Sequence, residues 1–322
     1  MEVDKNNICA LIVTYGTRLD LIDKVIQSLM MEDVKGIIVV SNGQDTVSRT
    51  SLLKICNDER INVILNDENI GSAGGYCQGL KFFLENRKED FVILLDDDNV
   101  ISRNGLMKIA DQYNENKNSK IVICANRKDR NIQQCSLDKK ENILYLNDSF
   151  LGYNFLSYFK KEKSDSEDYI YSDIVPYGGM VLDRAIIEDV GLPDKDLFLY
   201  SDDYEYSLRI RNKGYMITIL KSVSVTDIDQ SWHVNRNGSA IIDPESSEMR
   251  VYYTVRNGVI TDIRYKKKTL LFYINMIFFI LIQILKDIRV GKLNFINPRN
   301  WSVFIRAFAD AKKNKLGMVK FL

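Results

Sequence analysis

Histidine is nearly absent: His233 is the single one among 322 residues. The five cysteines, Cys9, Cys56, Cys77, Cys124 and Cys135, form no CxxC pair and no even framework. That excludes a disulfide scaffold and reads as free thiols in a reducing cytosol. The N-terminal stretch MEVDKNNICALIVTYG is acidic, and its apolar run is too short for a signal peptide. There is no G-x-G-x-x-G fingerprint and no Walker loop with its Lys-Ser/Thr. No nucleic-acid module is evident either, so no nucleic-acid partner is expected. Net charge is missing too, 44 Lys and Arg balancing 44 Asp and Glu. The balance is uneven along the chain, however. Residues 264 to 322 carry 13 Lys and Arg against 2 Asp, a net of +11, which leaves −11 on the preceding 263. A basic tail on an acidic body points to an anionic partner for the tail.

What is present is enough apolar material, 45% of the residues, to bury one large core or two modest ones. The organising stretch is FVILLDDDNV, residues 91 to 100. Five apolar residues of strand length run into Asp96, Asp97 and Asp98, as in a strand buried on both faces. Adjacent carboxylates repel one another. Oxygen ligands of this kind suit Mg²⁺ or Mn²⁺, with ligand phosphates completing the shell. The plainer alternative is a solvated acidic turn.

Apolar runs at residues 8–14, 36–40 and 61–65 predict three further strands, separated by helical patterns at 19–31 and 46–56 and followed by one at 76–86. Alternating strands and helices imply a parallel sheet covered by helices. Ligands of such sheets sit beyond the carboxyl ends of the strands, where Thr14, Asn42, Asn66 and Asp96 would converge. Between the third strand and its helix lies NDENIGSAGG, in which Gly71, Gly74 and Gly75 permit close backbone approach of a phosphate at a helix start. Packing glycines explain that stretch equally well.

Residues 120–125 predict another strand, and 127–172 read as loops and short strands over the active face. IVPYGGMVL, residues 174–182, is strand-like, with Gly178 and Gly179 marking a close approach to the backbone. Asp202, Asp203 and Glu205 open a helix, where carboxylates either suit the dipole or supply a general base. His233 beside Trp232 is an ordinary polar residue or the non-carboxylate ligand of a metal. Residues 246–265 read as a polar helix. Residues 269–285 carry no charge and are flanked by Lys266 to Lys268, Lys286 and Arg289. A spanning helix needs ~20 apolar residues, so an interfacial helix on anionic headgroups is expected, with a buried helix or a marginal span as alternatives.

The order strand-VTYGTR, strand-SNG, NDENIGSAGG, strand-DDD, VPYGGMVL, GLPDKDLFLYSDDYEYSLR, WH and YYTVRN resembles glycosyltransferase family 2, over roughly residues 8 to 260. It is most similar to bacterial galactofuranosyl- and rhamnosyltransferases. The resemblance implies an α/β fold of the GT-A type: a Rossmann-like nucleotide-diphospho-sugar transferase, its mostly parallel sheet flanked by helices. A C-terminal helical basic extension follows. It implies a catalytic domain at 1–245, with donor half 1–126 and acceptor half 127–245, and a membrane-associating region at 246–322.

For the site, the resemblance implies an inverting transferase with a nucleotide-sugar donor and Mn²⁺ or Mg²⁺. Thr14, Tyr15, Arg18, Asn42, Asn69, Gly71, Gly74, Asp96 and Asp97 match the donor side. Asp96, Asp98 and His233 match the metal ligands. Asp203 matches the general base, followed by Glu205 and Arg209. Tyr177, Gly178, Gly179 and Asp202 match the acceptor side. Ser41 replaces the Asp that many relatives carry before Asn-Gly, and Asn42 or Asp45 would compensate. The DDD run favours UDP-galactofuranose as donor, with dTDP-rhamnose or a UDP-hexopyranose as alternatives. The acceptor implied is a hydroxyl of a lipid-linked oligosaccharide or glycan, at the inner face of the cytoplasmic membrane. A nucleotidyltransferase and a silent assembly subunit are the competing classes.

Overall fold

The computed structural model describes residues 3–116, 120–127, 148–156, 168–229, 246–289 and 298–321. His233 lies outside the described residues, as does most of the long polar stretch after residue 127. The first half alternates β1 (Ile8–Tyr15), α1 (Leu19–Met31), β2 (Ile37–Asn42), α2 (Thr46–Ile55), β3 (Ile61–Asn66), α3 (Gly71–Asn86) and β4 (Phe91–Asp96). After it come β5 (Asn99–Ile101), α4 (Gly105–Glu115), β6 (Ile121–Asn126), β7 (Tyr169–Ser172), β8 (Met180–Asp183), α5 (Arg184–Val190), α6 (Asp202–Asn212) and β9 (Met216–Asp227). The chain then turns all-helical with α7 (Glu248–Tyr265), α8 (Leu270–Arg289) and α9 (Pro298–Lys312).

Among the described residues the strands form one sheet of order β3-β2-β1-β4-β8-β6-β9-β5, with β7 also on β9. The β3-β2-β1-β4 half is parallel, as the alternating pattern predicts. The second half is mixed, with β8 running antiparallel between β4 and β6 while β6 and β9 are parallel. Register sets the site. Tyr15 pairs with Asn42, Asn42 with Asn66, and Val13 with Asp96, so four strands end level at one edge. The central strands are apolar on both faces because both are covered. Ile8, Ala10 and Ile12 of β1 pack toward α1 and α4, and Cys9 and Leu11 pack toward α3.

Two boundaries differ from the sequence expectation. Helix α3 begins at Gly71, five residues earlier than its apolar pattern indicates. Its glycines are needed for packing: a Cβ at Gly79 would stand 2.3 Å from Leu11 Cδ1, and one at Gly75 would stand 2.7 Å from Val13 Cγ1. The second difference is at residues 174–179, which are irregular and end in a turn, with strand β8 starting only at Met180. Tyr177 and Met180 close that turn, and Gly179 adopts φ +97°.

The C-terminal helices form a third apolar cluster with Phe150, Leu151 and Phe198. Helix α8 is two-faced. Phe272, Asn275, Phe279 and Gln283 are buried, while Leu270 (77%), Ile277 (56%) and Leu281 (52%) are exposed along the opposite stripe with Ile274 and Leu285. That removes full burial as a description of this helix, and among the described residues no helix is long and apolar enough to cross a membrane.

Because α3 touches β1 through its glycines, Gly79→Ala should lower the unfolding free energy by ~1–3 kcal/mol, the usual cost of overpacking. Urea denaturation checks this, with a reduced midpoint and an unchanged slope expected.

Candidate active site

Alternation along β4 and the turn after it sends the three aspartates to different partners. Asp96 accepts a hydrogen bond from Tyr76 Oη at 2.9 Å. Asp97 accepts from Thr14 Oγ1 and Arg18 Nε, both at 2.8 Å. Asp98 accepts from Arg18 Nη2 at 3.0 Å and Asn99 Nδ2 at 2.9 Å. The remaining arm of Arg18, Nη1, reaches Asp229 at 2.9 Å, so one guanidinium ties β4 to the end of β9. A second guanidinium lies deeper. Buried Arg127 pairs with buried Asp227 and donates to Asn99 Oδ1 at 3.2 Å and to the Gly178 carbonyl at 3.3 Å. It stands 3.9 Å from Asp96 Oδ2. Gly178 is required here, since its Cβ would fall 2.1 Å from Asn99 Oδ1 and 2.2 Å from Arg127 Nη1.

These surroundings shift the protons. Burial pushes the Asp98 carboxyl up to about 7, helped by the negative charges of Asp96, Asp227 and Asp97 and opposed by Arg18. Burial pushes Asp97 up to about 6 against the charge of Arg18 and the hydroxyl of Thr14. An oxygen-only set with this surplus of negative charge fits a hard divalent cation. Among the described residues, no three His, Cys, Asp or Glu side chains surround a common point.

The level strand ends carry a chain of amides. Asn66 donates to Asn42 Oδ1 at 3.0 Å and to Gln78 Oε1 at 2.7 Å, and Asn42 donates to the Gly71 carbonyl at 2.9 Å. Gln44 bridges Ser41 Oγ at 2.8 Å and the Gly16 carbonyl at 2.9 Å. Asn69 accepts from the Gly71 amide at 2.8 Å. Gly74 lies against Ile70. Tyr15 is half-exposed at the rim, with Arg18 5.6 Å over its ring.

Facing this edge is the start of α6. Asp202 is buried and accepts from Ser72 Oγ at 2.8 Å, which joins α6 to the first turn of α3. Burial, with Asp203 and Asp96 nearby, raises the Asp202 carboxyl well above the ordinary range. Asp203 is only half-buried, and its Oδ1 accepts from the Tyr204 amide at 2.9 Å. Glu205 is held by Tyr265 Oη at 2.6 Å and Arg209 at 3.2 Å. Tyr177 is a core residue, its ring 4.2 Å from that of Tyr76, and its buried hydroxyl has no hydrogen-bond partner among the described residues.

The segment before α6 is strained. Phe198 has φ 68° and ψ −67° with Leu199 N bonded to the Leu197 carbonyl at 2.9 Å, the rare form of γ-turn. Tyr200 and Ser201 follow at φ 61° and 60°. Non-glycine residues in such regions cost on the order of 1–3 kcal/mol each and persist where their surroundings impose them. The Phe198 carbonyl also receives the Ala73 amide at 3.2 Å, and a Cβ on Gly71 would lie 1.9 Å from that oxygen.

A family model described as "Glycosyl transferase family 2" matches residues 9–191, which is more than half of the chain. The chain belongs to glycosyl transferase family 2. This glycosyltransferase is 27% identical over 256 residues to dTDP-rhamnosyl transferase RfbF of Shigella flexneri, covering 79% of each chain. Its fold matches that of S. aureus TarS 1-349, solved in complex with UDP-GlcNAc, at a TM-score of 0.55 and 13% identity, covering 94% of this chain and 81% of the other. It also matches GalNAc-T7, solved with UDP, GalNAc and Mn2+, at 0.53 and 12%, covering 96% of this chain and 55% of the other. Likeness at those identities speaks for the fold alone.

The structure thus brings together Thr14, Arg18, Asp96, Asp97, Asp98 and, across α3, Asp202. It sets Tyr177, Gly178 and Gly179 beneath the edge as packing elements, and His233 lies outside the described residues. Sequence reasoning missed Ser72, Tyr76, Asn99, Arg127 and Asp227. Arg127 follows a strand by one residue and Asn99 follows the aspartates directly, so position at strand ends was the available signal.

The Asp98 carboxyl binds its proton more tightly in the folded chain than an unfolded Asp does, so its contribution to stability is lost as pH rises through about 7. Metal-free protein should therefore melt higher at pH 6 than at pH 8, by ~2 °C from this group. Asp98→Asn should flatten that difference in a thermal melt.

Proposed function

We propose that this glycosyltransferase moves a rhamnosyl group from dTDP-rhamnose to a hydroxyl of a glycan or lipid-linked precursor, with inversion at the anomeric carbon. The observation that carries it is the meeting of two acidic sets across α3, with Asp96 to Asp98 on the level strand ends and Asp202 and Asp203 at the start of α6. Support for the sugar comes from the likeness to the dTDP-rhamnosyl transferase. UDP-galactofuranose is the second reading, favoured by the uninterrupted DDD run.

In this reading the acceptor oxygen forms its bond to the anomeric carbon as the bond to the nucleoside diphosphate breaks on the opposite face. The half-buried Asp203 takes the hydroxyl proton, which makes it the general base. Asp202, buried and fixed by Ser72, orients the acceptor beside it. Tyr15 at the rim and the amides of Asn42 and Asn69 receive the nucleoside, with Thr14 and Arg18 holding Asp97 in place. Asp96 and Asp98, with His233, would hold Mn²⁺ or Mg²⁺, which when bound neutralises charge on the departing diphosphate. The exposed apolar stripe of α8, beside exposed Lys267 and Lys268, seats the enzyme on an anionic inner membrane surface where lipid-linked acceptors reside.

A panel of nucleotide sugars with Mn²⁺, scored for nucleoside diphosphate release, tests the donor. Release from dTDP-rhamnose is expected, and release from UDP-galactofuranose alone would replace the first reading by the second. Asp203→Asn should keep donor affinity and lower turnover by about 10²-fold or more, and near-normal turnover would place the base elsewhere. Flotation with vesicles containing phosphatidylglycerol should carry the enzyme upward, and replacing Leu270, Ile277 and Leu281 by Ser should leave it at the bottom.

A further inference from the structure

Helix α7 contains a buried cation with an unusual set of partners. Arg256 is fully buried, and among the described residues no carboxylate lies within ion-pair distance of it. Its guanidinium instead serves carbonyls, with Nη2 to Leu197 at 2.8 Å and Nη1 to Gly317 at 2.6 Å. The rings of Tyr253 and Tyr252 lie 4.7 Å and 5.4 Å from it. Its Nε donates to Asn257 Oδ1 at 2.9 Å, which fixes the face that the Asn257 amide presents. That amide nitrogen then addresses three carbonyls in four residues: Leu197 at 2.9 Å, Leu199 at 2.8 Å and Tyr200 at 2.7 Å.

The Leu197, Leu199 and Tyr200 carbonyls belong to the segment whose Phe198, Tyr200 and Ser201 stand at positive φ immediately before Asp202. Such a backbone does not hold itself, and a buried cation without a counter-ion is costly unless every donor is used. A strap from the chain's last described stretch closes the arrangement. The Gly317 amide donates to the Asp196 carbonyl at 2.7 Å while its own carbonyl receives Arg256. The Val319 amide donates to Tyr253 Oη at 2.8 Å.

We infer that Arg256 and Asn257 are positioning residues for catalysis, holding the strained 197–201 segment so that α6 presents Asp203 to the acceptor. The inference rests on the reading of Asp203 as general base. The bonds of Arg256 and Asn257 to the backbone carbonyls of Leu197, Leu199 and Tyr200 set where the first turn of α6 begins. Displacement of a catalytic group by about 1 Å can cost about 10²-fold in rate, so small slack in this segment reads out directly as turnover.

The test is a double-substitution cycle on the full chain. Asn257→Ala should lower kcat by at least about 10-fold, inside the range for a misplaced group, with the donor Kd changed by less than about three-fold on the same footing. In the Asp203→Asn background the same substitution should cost little further turnover, because the group it positions has already been removed. A full additive loss in that background, or unchanged kcat in Asn257→Ala alone, overturns the positioning role. Near-normal turnover of Asp203→Asn by itself overturns the reading of the base, a separate outcome. If circular dichroism shows that Asn257→Ala does not fold, Arg256→Lys carries the same cycle. It keeps the charge but loses the simultaneous reach to Leu197, Gly317 and Asn257, and the same two outcomes decide.

Discussion

Mutual repulsion of carboxylates at one end of a buried sheet is the constraint that shapes this enzyme. Asp96, Asp97, Asp98, Asp202 and Asp227 crowd the carboxyl edge, and burial makes the charges of Asp97, Asp98 and Asp202 harder to keep. Two guanidiniums from different parts of the chain hold the crowd in place. Arg18, at the start of α1, spans Asp97, Asp98 and Asp229. Arg127, at the end of β6, meets Asp227 and Asn99 beneath them. Planar five-donor groups suit this task because each can serve several acceptors at fixed angles. They reinforce the bonds from Ile228 N–H to the Asp98 carbonyl at 2.9 Å and from Asn99 to Asp227 at 2.7 Å that already join the end of β4 to the exit of β9.

A second framework lies across α3 from the first. Asp202 and Asp203 open α6 after a γ-turn and two left-handed residues, a backbone that the α7 side chains bind from behind and the Phe198 carbonyl joins to α3. Gly71 has to be glycine because that carbonyl approaches where a Cβ would stand. The two acidic sets are therefore tied through the first turn of one helix, with Ser72 on Asp202 and Tyr76 on Asp96.

Much of this was legible in the sequence, for physical reasons. Continuous apolar runs gave β1 to β4 because strands covered on both faces have no polar alternation, and the level strand ends followed from their parallel order. The aspartate run and the acidic start of α6 stood out because charge at the end of an apolar run is conspicuous. The glycines of α3 misled about where the helix begins, since glycine is a poor helix former and only the closeness of Leu11 and Val13 explains it here. The irregular stretch at 174–179 was hidden by its apolar composition, which a buried irregular stretch and a buried strand share. Arg127 and Asp227 were illegible because their side-chain partners are 28 or more residues away in the chain, and the YYTVRN run marked Asn257 without revealing the backbone carbonyls it binds.

The Ser72 hydroxyl has a consequence of its own. It donates to the Asp202 carboxylate at 2.8 Å from the first turn of α3, the helix whose Tyr76 bonds Asp96. A diphosphate that recruited this hydroxyl would leave Asp202 to take up a proton. By reciprocity, protonation of Asp202 would release the hydroxyl to the diphosphate with the same coupling free energy. In the proposed reading, occupancy on the donor side and ionisation on the acceptor side are thermodynamically linked through that hydroxyl.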